Sequence, residues 1–546
     1  MRSGGARPLW ITVAVAAGLL ATVLALQWAR HAYSAELSGA DEPAHFITAL
    51  LIRDYLHAGV PASPIAYAEN YYLHYPKVAF GMWPPVFHAV AAAWMLVLPA
   101  TVASVRVLIA VIVAMAGLLA FRLTKDDAGT IPAALLAAAF VVSPQVQLSS
   151  QQVMVDGLVA ALVFASALAW RRFAASGATR DALLVGLLGS AAMLTKGNGT
   201  AALGLPFAWV LVANRWDVLR WRGTWYAVGG MLLAGGPWQV YSWRLLSRTV
   251  VREGASGTLF DRGAVYAGYL AQAVGPLVAA AALAGAVLVA RRLVRREMPE
   301  AWTTPIALLL TVLGFHIVLP QPPNIRYLIP ALPVVLWLAW LAVRTAAQAF
   351  TGGGRLVVGA VLAAALSGDM AVRAVRLEPR RHHGIGAIAG WLATRPAGVV
   401  LVSDGDPGVN TSGMVIVEVA VRDTRPGRVV LRANKTLSSS SWDGQERQLH
   451  RATPEAVLAF LAEVPVRYVV LDDGPDGREP EPANEILRAA LKASEHWRLA
   501  GTFPDAANPR HRRLVYEAAT EPGGAGAVSI DLGRTLGRTL TLPSRP

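Results

Sequence analysis

Long apolar runs separated by short polar clusters fill the first two thirds of the chain. The first run is "LWITVAVAAGLLATVLALQW", residues 9 to 28. Others cover 101–121, 129–147, 154–170, 181–195, 199–213, 224–243, 267–290, 302–319, 327–343 and 355–371. A helix needs about 20 apolar residues to cross roughly 30 Å of hydrocarbon, so these runs predict eleven spans, the shorter ones tilted or closely paired. A further run, "PPVFHAVAAAWMLVLP" at 84–99, decides the topology. If it crosses, the clusters "FRLTK", "RRF", "NRWDVLRWR" and "RRLVRR" all face outward, against the tendency of cytoplasmic loops to carry Lys and Arg. It is short and opens on two prolines, so it reads as an in-plane or re-entrant element. With Arg2 and Arg7 ahead of the first run, the N-terminus is expected inside and residues 29–100, 148–153, 196–198, 244–266 and 320–326 outside. A cleaved signal peptide is the competing reading of the first run, but the run is too long and too many others follow.

The apolar character stops near Arg373. After the charged linker "RAVRLEPRRHHG", the segment "IGAIAGWLATR" reads as a helix and "AGVVLVSDGD" as a buried strand. Further strands are predicted at "GMVIVEVAV", "GRVVLRA" and "VRYVVLDD", and helices at 454–463 and 483–493. The expected fold class is therefore a mainly α-helical polytopic membrane protein with a C-terminal extracytoplasmic α/β domain. The divisions are 1–376 for the membrane domain, 377–522 for the soluble domain and 523–546 for a poorly ordered tail.

Composition supports this class. Of 546 residues, 55% are hydrophobic and 15% charged, and the mean hydropathy of +0.44 is too apolar for a soluble protein of this length. The net charge of +14 lies in clusters between apolar runs, the footprint of membrane orientation rather than of nucleic-acid binding. With no cysteine, disulfides and thiolate metal sites are excluded.

Two carboxylates, Asp41 and Glu42, stand together just after the first span, at the start of an amphipathic stretch that would lie in the interface. Their bland reading is a loop decoration or a helix cap. Asp156 sits at the outer end of an otherwise apolar run, where an ionisable group is costly and tends to face a polar cavity. Lys196 lies in "TKGNG", among glycines whose backbone N–H groups suit an anion. Lys77 and Arg326 fall outside by the same topology. Alone, each cation reads as an interfacial anchor. Together, cations to hold an anionic leaving group and a carboxylate to take a proton are what transfer from a phosphate-bearing lipid needs.

The order of these motifs resembles the polytopic glycosyltransferases of the C superfamily, in particular the protein O-mannosyltransferase and aminoarabinose-transferase group that uses polyprenyl-phosphate sugars. The matching residues are Asp41 and Glu42 after the first span, "WPPVFH" at 83–88, "VMVDGLV" with Asp156, "LTKG" at 194–197 and "RYLIPALP" at 326–333, over roughly residues 1–345. The resemblance implies an enzyme of the cytoplasmic membrane, with its site open to the outside, that moves a hexosyl or pentosyl group with inversion to a glycan, lipid or protein acceptor. It implies Asp41 as general base, with Glu42 and Asp156 as further acidic groups. Lys77, Lys196 and Arg326 are candidates for the donor phosphate, and Tyr327 of the last motif for the substrate. His45 stands where the family often has an aromatic residue, which points to an altered sugar pocket or a metal ligand, and His74 and His88 raise the same question. No cofactor is fixed, and a divalent metal is left open. The absence of a Gly-rich nucleotide loop agrees with a lipid-borne donor. The acidic turns "VSDGDPG" and "VLDDGPDG" read as turns rather than metal loops. The rival class is a transporter or flippase of a lipid-linked saccharide, which would also want cations and acids at membrane depth, although no internal repeat is visible.

Overall fold

The computed structural model describes residues 9–542 except 80, 250–256, 320–321, 406–408, 424–426, 440–447, 475–480, 521–527 and 532–538. Among the described residues sixteen α-helices build the membrane domain. They are α1 (Leu9–Ala29), α2 (Glu42–His57), α3 (Pro64–His74), α4 (Val86–Val97), α5 (Val102–Ala128), α6 (Thr130–Val142), α7 (Pro144–Ser150) and α8 (Asp156–Ser176), followed by α9 (Thr179–Met193), α10 (Leu205–Ala213), α11 (Arg222–Thr249), α12 (Leu259–Val274), α13 (Pro276–Val294), α14 (Glu300–Val318), α15 (Leu332–Ala347) and α16 (Gly353–Val375). Among the described residues seven stretches are long and apolar enough to cross a membrane: α1, α5, α8, α13, α14, α16, and α15 with the turn before it. The count becomes eight if α6 and α7, bent by 60°, form one span. The bend falls at Pro144, which lacks the N–H a continuous helix would donate. The chain is a multi-pass membrane protein.

Side-chain contacts assign the helix ends. Gln27, at the end of α1, donates to the carbonyls of Arg106 near the start of α5 (3.0 Å) and of Ser150 at the end of α7 (2.6 Å). The chain therefore leaves and re-enters the bundle at one end, and α4 between them does not cross, as the charge clusters required. At the opposite end Arg171 pairs with Asp126 at 2.9 Å. There Asp127 accepts from the indoles of Trp302 (2.8 Å) and Trp337 (2.9 Å) and from Arg344 (3.1 Å), tying α5, α14 and α15 together.

Against the eleven spans expected, the runs 181–195, 199–213 and 224–243 form helices that fall short in length or hydropathy among the described residues, and a fourth run is broken. The run 267–290 is not one helix: it breaks at Gly275, whose φ of +91° is strained for any residue with a Cβ. Arg262, early in α12, donates to the Val318 carbonyl at the end of α14. A Cβ on Gly275 would strike Asp369 and Arg373, near the end of α16. Both ends of α12 thus lie at the Gln27 end, so α12 runs along it and α13 does the crossing.

The C-terminal domain covers that same end. Its elements are α17 (Ile385–Ala393), β1 (Val399–Val402), α18 (Thr411–Arg422), β2 (Val430–Arg432), α19 (Ala433–Thr436), β3 (Ser438–Ser439), β4 (Gln448–Leu449), α20 (Pro454–Glu463), β5 (Val466–Asp473), α21 (Pro482–Ala493), β6 (Trp497–Asp505), β7 (Asn508–Ala518), β8 (Val528–Asp531) and β9 (Thr539–Leu542). The main sheet has the order β2-β1-β5-β7-β6, with β2, β1 and β5 parallel and β7 and β6 antiparallel. "GMVIVEVAV", expected as a strand, is helix α18. Asn410 caps it by accepting from Gly413 N at 3.1 Å, and residues 411–417 are buried throughout. A run apolar on every side carries no period to separate helix from strand. The strands β6 and β7 are polar along their exposed stretches and carry no such signal either. Within the tail expected to be poorly ordered, β8 and β9 pair as an antiparallel hairpin, and the rest of it lies outside the described residues.

Replacing Asp127 by leucine leaves two indole N–H groups without their acceptor and Arg344 with only the backbone carbonyl of residue 127, and should cost about 2–4 kcal/mol. Thermal unfolding of the detergent-solubilised protein measures it; an unchanged Tm would show that this clamp is dispensable.

Candidate active site

Helix α2 starts at Glu42 because Pro43 follows in its first turn, where a missing N–H costs nothing. This leaves Asp41 at the N-cap position, yet its side chain makes no capping bond. It turns to Arg326, whose Nη1 and Nη2 donate to Oδ2 at 3.4 and 3.3 Å, and it stays about a quarter exposed (23%). The capping reading of Asp41 is thereby set aside.

Asp156 opens α8, also without capping, and is 2% exposed. Lys196 Nζ donates to its Oδ1 at 2.6 Å. Lys196 reaches it from the break between α9 and a 3-10 turn at Gly197–Gly204. Of the glycines there, Gly199 serves packing: a Cβ on it would overlap the Ala192 carbonyl. The Lys196 ammonium lies 4.9 Å from the centre of the Tyr327 ring, and the Arg326 guanidinium 5.9 Å from it. Tyr327 in turn stacks on His316 at 5.5 Å. Asp41–Arg326 and Asp156–Lys196 are thus two ion pairs whose cations meet one aromatic ring. Asp156 Oδ2 and Arg326 Nε are buried without hydrogen-bond partners among the described residues.

His45 lies one turn into α2, stacked on Trp83 at 4.0 Å and hydrogen-bonded to His88 at 3.1 Å between Nδ1 and Nε2. Burial, then the neighbouring His88, Lys196 and Arg326, push its pKa well below the ordinary value. His74 stands apart, bonded to the Asn70 carbonyl at 2.8 Å. Among the described residues no three His, Asp or Glu side chains gather as metal ligands would.

Glu42 does something different from its neighbour. Its carboxylate is fully buried and accepts from Arg380 (2.7 Å), Val153 N (3.0 Å) and Gly39 N (3.2 Å), with Arg106 at 4.0 Å. Arg106 also donates to the carbonyls of Ala32, Ala35 and Glu36. Glu36 accepts from His383 N (2.7 Å) and Ile385 N (2.9 Å), at the start of α17. This network fastens the first loop to the C-terminal domain. The sequence reading missed Arg106, Arg380 and Glu36. Arg106 carried a usable signal, a cation within an apolar run; the other two carried none.

Lys77 follows α3, half-buried at the edge of the site, where Asp41 lies within its field. An apolar cavity of about 360 Å³ adjoins the cluster, lined by Thr200, Leu203, Gly204, Thr311, Phe315 and Val318.

Residues 83–241 match the family model of dolichyl-phosphate-mannose-protein mannosyltransferases. No curated protein matches the sequence. Among solved structures, ArnT of Cupriavidus metallidurans bound to undecaprenyl phosphate is 14% identical, with a TM-score of 0.58 over 92% of this chain and 98% of that one. The archaeal oligosaccharyltransferase AglB of Archaeoglobus fulgidus, in complex with an inhibitory peptide and a dolichol-phosphate, is 13% identical, with a TM-score of 0.53 over 84% of this chain and 69% of that one. A mutant of the arabinofuranosyltransferase AftD from Mycobacteria is 17% identical, with a TM-score of 0.55 over 97% of this chain and 43% of that one. The chain shares the fold of these three solved structures.

Because the folded protein holds His45 neutral, the unfolded chain takes up a proton first as pH falls below about 6.5. Stability is therefore full above that value and declines on acidification. His45→Phe, which keeps a ring against Trp83, should flatten part of this decline. Tm in detergent between about pH 7 and about pH 5 measures it; an equal acid slope in variant and wild type would remove His45 as a contributor.

Proposed function

We propose that this protein is an integral-membrane glycosyltransferase that moves one sugar from a polyprenyl-phosphate donor to an acceptor outside the cytoplasmic membrane. The observation that carries the reading is the pair of ion pairs at one bundle end, Asp41–Arg326 and Asp156–Lys196. They hold acids and cations together in a half-covered site at membrane depth. The family-model match and the shared fold support the same class of chemistry. ArnT bound to undecaprenyl phosphate and AglB with a dolichol-phosphate are relatives in fold that hold polyprenyl phosphates, and the apolar cavity between the 3-10 turn after Lys196 and the end of α14 suits the isoprenoid part of such a donor.

In this mechanism Asp41 is the general base. Its Oδ2 faces Arg326, and the carboxylate keeps enough exposure to meet an acceptor hydroxyl. As Asp41 takes the hydroxyl proton, the oxygen bonds to the anomeric carbon. The bond from that carbon to the phosphate oxygen breaks, and the phosphate leaves with the electron pair. Arg326, Lys196 and Lys77 stabilise the charge developing on the phosphate. One displacement on the face opposite the leaving group inverts the anomeric centre. Asp156 holds Lys196 in place and offers its unspent Oδ2 to the sugar or the acceptor. Tyr327 forms one wall of the site, and His45 with Trp83 a flat aromatic surface on which a sugar ring can lie. Glu42 orders the loop rather than reacting, since Arg380 and two backbone N–H groups occupy it. The acceptor is a glycan, lipid or protein. In this topology the basic clusters face the cytoplasm and the C-terminal domain stands outside.

Asp41→Asn keeps the side chain's shape and should lower transfer by at least about 100-fold, with insertion and Tm preserved. Transfer of radiolabelled sugar from a polyprenyl-phosphate donor to cell-envelope acceptors, by purified protein in detergent, measures it. Transfer by Asp41→Asn at the wild-type rate would remove Asp41 as base. Donor translocation in vesicles without any sugar transfer would instead favour a flippase.

A further inference from the structure

Beside the ion pairs stand two buried imidazoles bonded to each other. His45 Nδ1 of α2 and His88 Nε2 of α4 lie 3.1 Å apart, and the residues are 3% and 1% exposed. Trp83 stacks on His45 at 4.0 Å, and Phe87 meets each of the two rings edge-on at 5.7 Å. Burial above all holds the pKa of His88 at about 4 and that of His45 well below the usual histidine value, so both rings are neutral near pH 7. A neutral imidazole carries one hydrogen on one of its two nitrogens. The bond between the rings holds a single hydrogen, so the tautomer of His88 dictates that of His45. When His45 Nδ1 donates, its Nε2 is an acceptor; when His45 Nδ1 accepts, its Nε2 is a donor.

The surroundings tie this pair to the site. His45 follows Asp41 by one turn on the same side of α2, and its backbone N–H donates to the Asp41 carbonyl at 3.0 Å. Val86 N, at the start of α4, donates at 2.9 Å to the carbonyl of Leu194, two residues before Lys196. The Met82 carbonyl accepts from Ser242 Oγ of α11 at 3.1 Å, and a Cβ on Gly81, whose φ is +66°, would strike the Tyr241 ring of the same helix. Residues 81–88 are therefore pinned between α11 and the break that carries Lys196, and His88 is a fixed point against which the His45 ring is set. The second nitrogen of His45, Nε2, makes no hydrogen bond among the described residues.

We infer that His88 is a positioning residue that fixes the ring and the tautomer of His45, and that His45 Nε2 binds a hydroxyl of one of the two substrates. The inference rests on the proposed transferase reading, which supplies the substrates. A hydroxyl both donates and accepts, so either tautomer of His45 serves it, but only one at a time. His88 makes that choice before the substrate arrives. Sugars differ in where their hydroxyls stand, and a site built to bond a hydroxyl rejects an analogue that leaves it unpaired. His45 thereby reads the substrate with a nitrogen of set position and role, beyond offering it a flat surface.

The test has two arms, both on the full-length protein in detergent. Nitrogen NMR of isotope-labelled histidine, assigned with His45→Phe and His88→Phe, should show a coupling across the bond between the two rings in the wild type. It should also show one protonated and one bare nitrogen on His45, and signals averaged between tautomers in His88→Phe. No coupling in the wild type, or the same His45 signals in His88→Phe, would overturn the inference. In the second arm transfer is followed with a panel of decaprenyl-phosphate hexoses and pentoses and cell-envelope acceptors. His45→Phe and His88→Phe should each raise one KM about five- to tenfold, as for losing one neutral hydrogen bond, with kcat changed less than about threefold because Asp41 is untouched. The double variant should be no worse than His45→Phe alone. A raised KM for the donor places the hydroxyl on the transferred sugar; a raised KM for the acceptor places it there. An unchanged KM in His88→Phe, or single effects that multiply in the double variant, would also overturn the inference. Absence of transfer by the wild type from every donor would reject the transferase reading, while the nitrogen signals still decide whether His88 sets His45.

Discussion

Everything at the capped end of the bundle follows from the cost of keeping charges in a low-dielectric place. Asp156 is almost wholly buried, and an isolated carboxylate there would be strongly unfavourable. Lys196 answers it, and in doing so fixes the break between α9 and α10 against the start of α8. Arg326 and Asp41 do the same for α2 and the turn before α15. Tyr327, between the two cations, joins the pairs into one unit. Because each partner comes from a different part of the chain, satisfying the charges brings four distant helix ends to one point.

The second buried set works by the same rule but to another end. Glu42, Glu36, Arg106 and Arg380 spend most of their hydrogen-bonding capacity on one another and on backbone groups, with only Arg106 Nε of the four buried without a partner among the described residues. A network satisfied in this way rigidifies and specifies a geometry. Here it fixes the first loop against the linker that leads into α17. Two adjacent acids, Asp41 and Glu42, thus have separate duties because one points into the cleft and the other into the joint. Adjacent positions at a helix start face different directions, and only the surroundings decide which side becomes reactive.

The joint also gives the C-terminal domain its position. Asn410, at the start of α18, donates to the Gly39 carbonyl, and Gly427 N, just before β2, donates to the Tyr75 hydroxyl, so the first loop meets the soluble domain at these points as well.

By itself the sequence determined the class of the molecule, most of its helices, and a short set of acids and bases. Apolar runs of spanning length and clustered Lys and Arg are local properties, and they marked α4, 12 residues long, as an in-plane or re-entrant element rather than a span. The motifs holding Asp41, Asp156, Lys196 and Arg326 were visible for the same reason: a charge beside or within an apolar run stands out. What tertiary structure decided is who meets whom. The break at Gly275, the helical state of α18, the polar strands β6 and β7, and the clamp through Arg106 and Arg380 all depend on neighbours far away in sequence. A fully apolar run has no periodicity to read, and a linker arginine looks like any other until its carboxylate partner is known. Charge pairing across hundreds of residues is long-range and leaves no local pattern, so the partners appear only when the chain has folded.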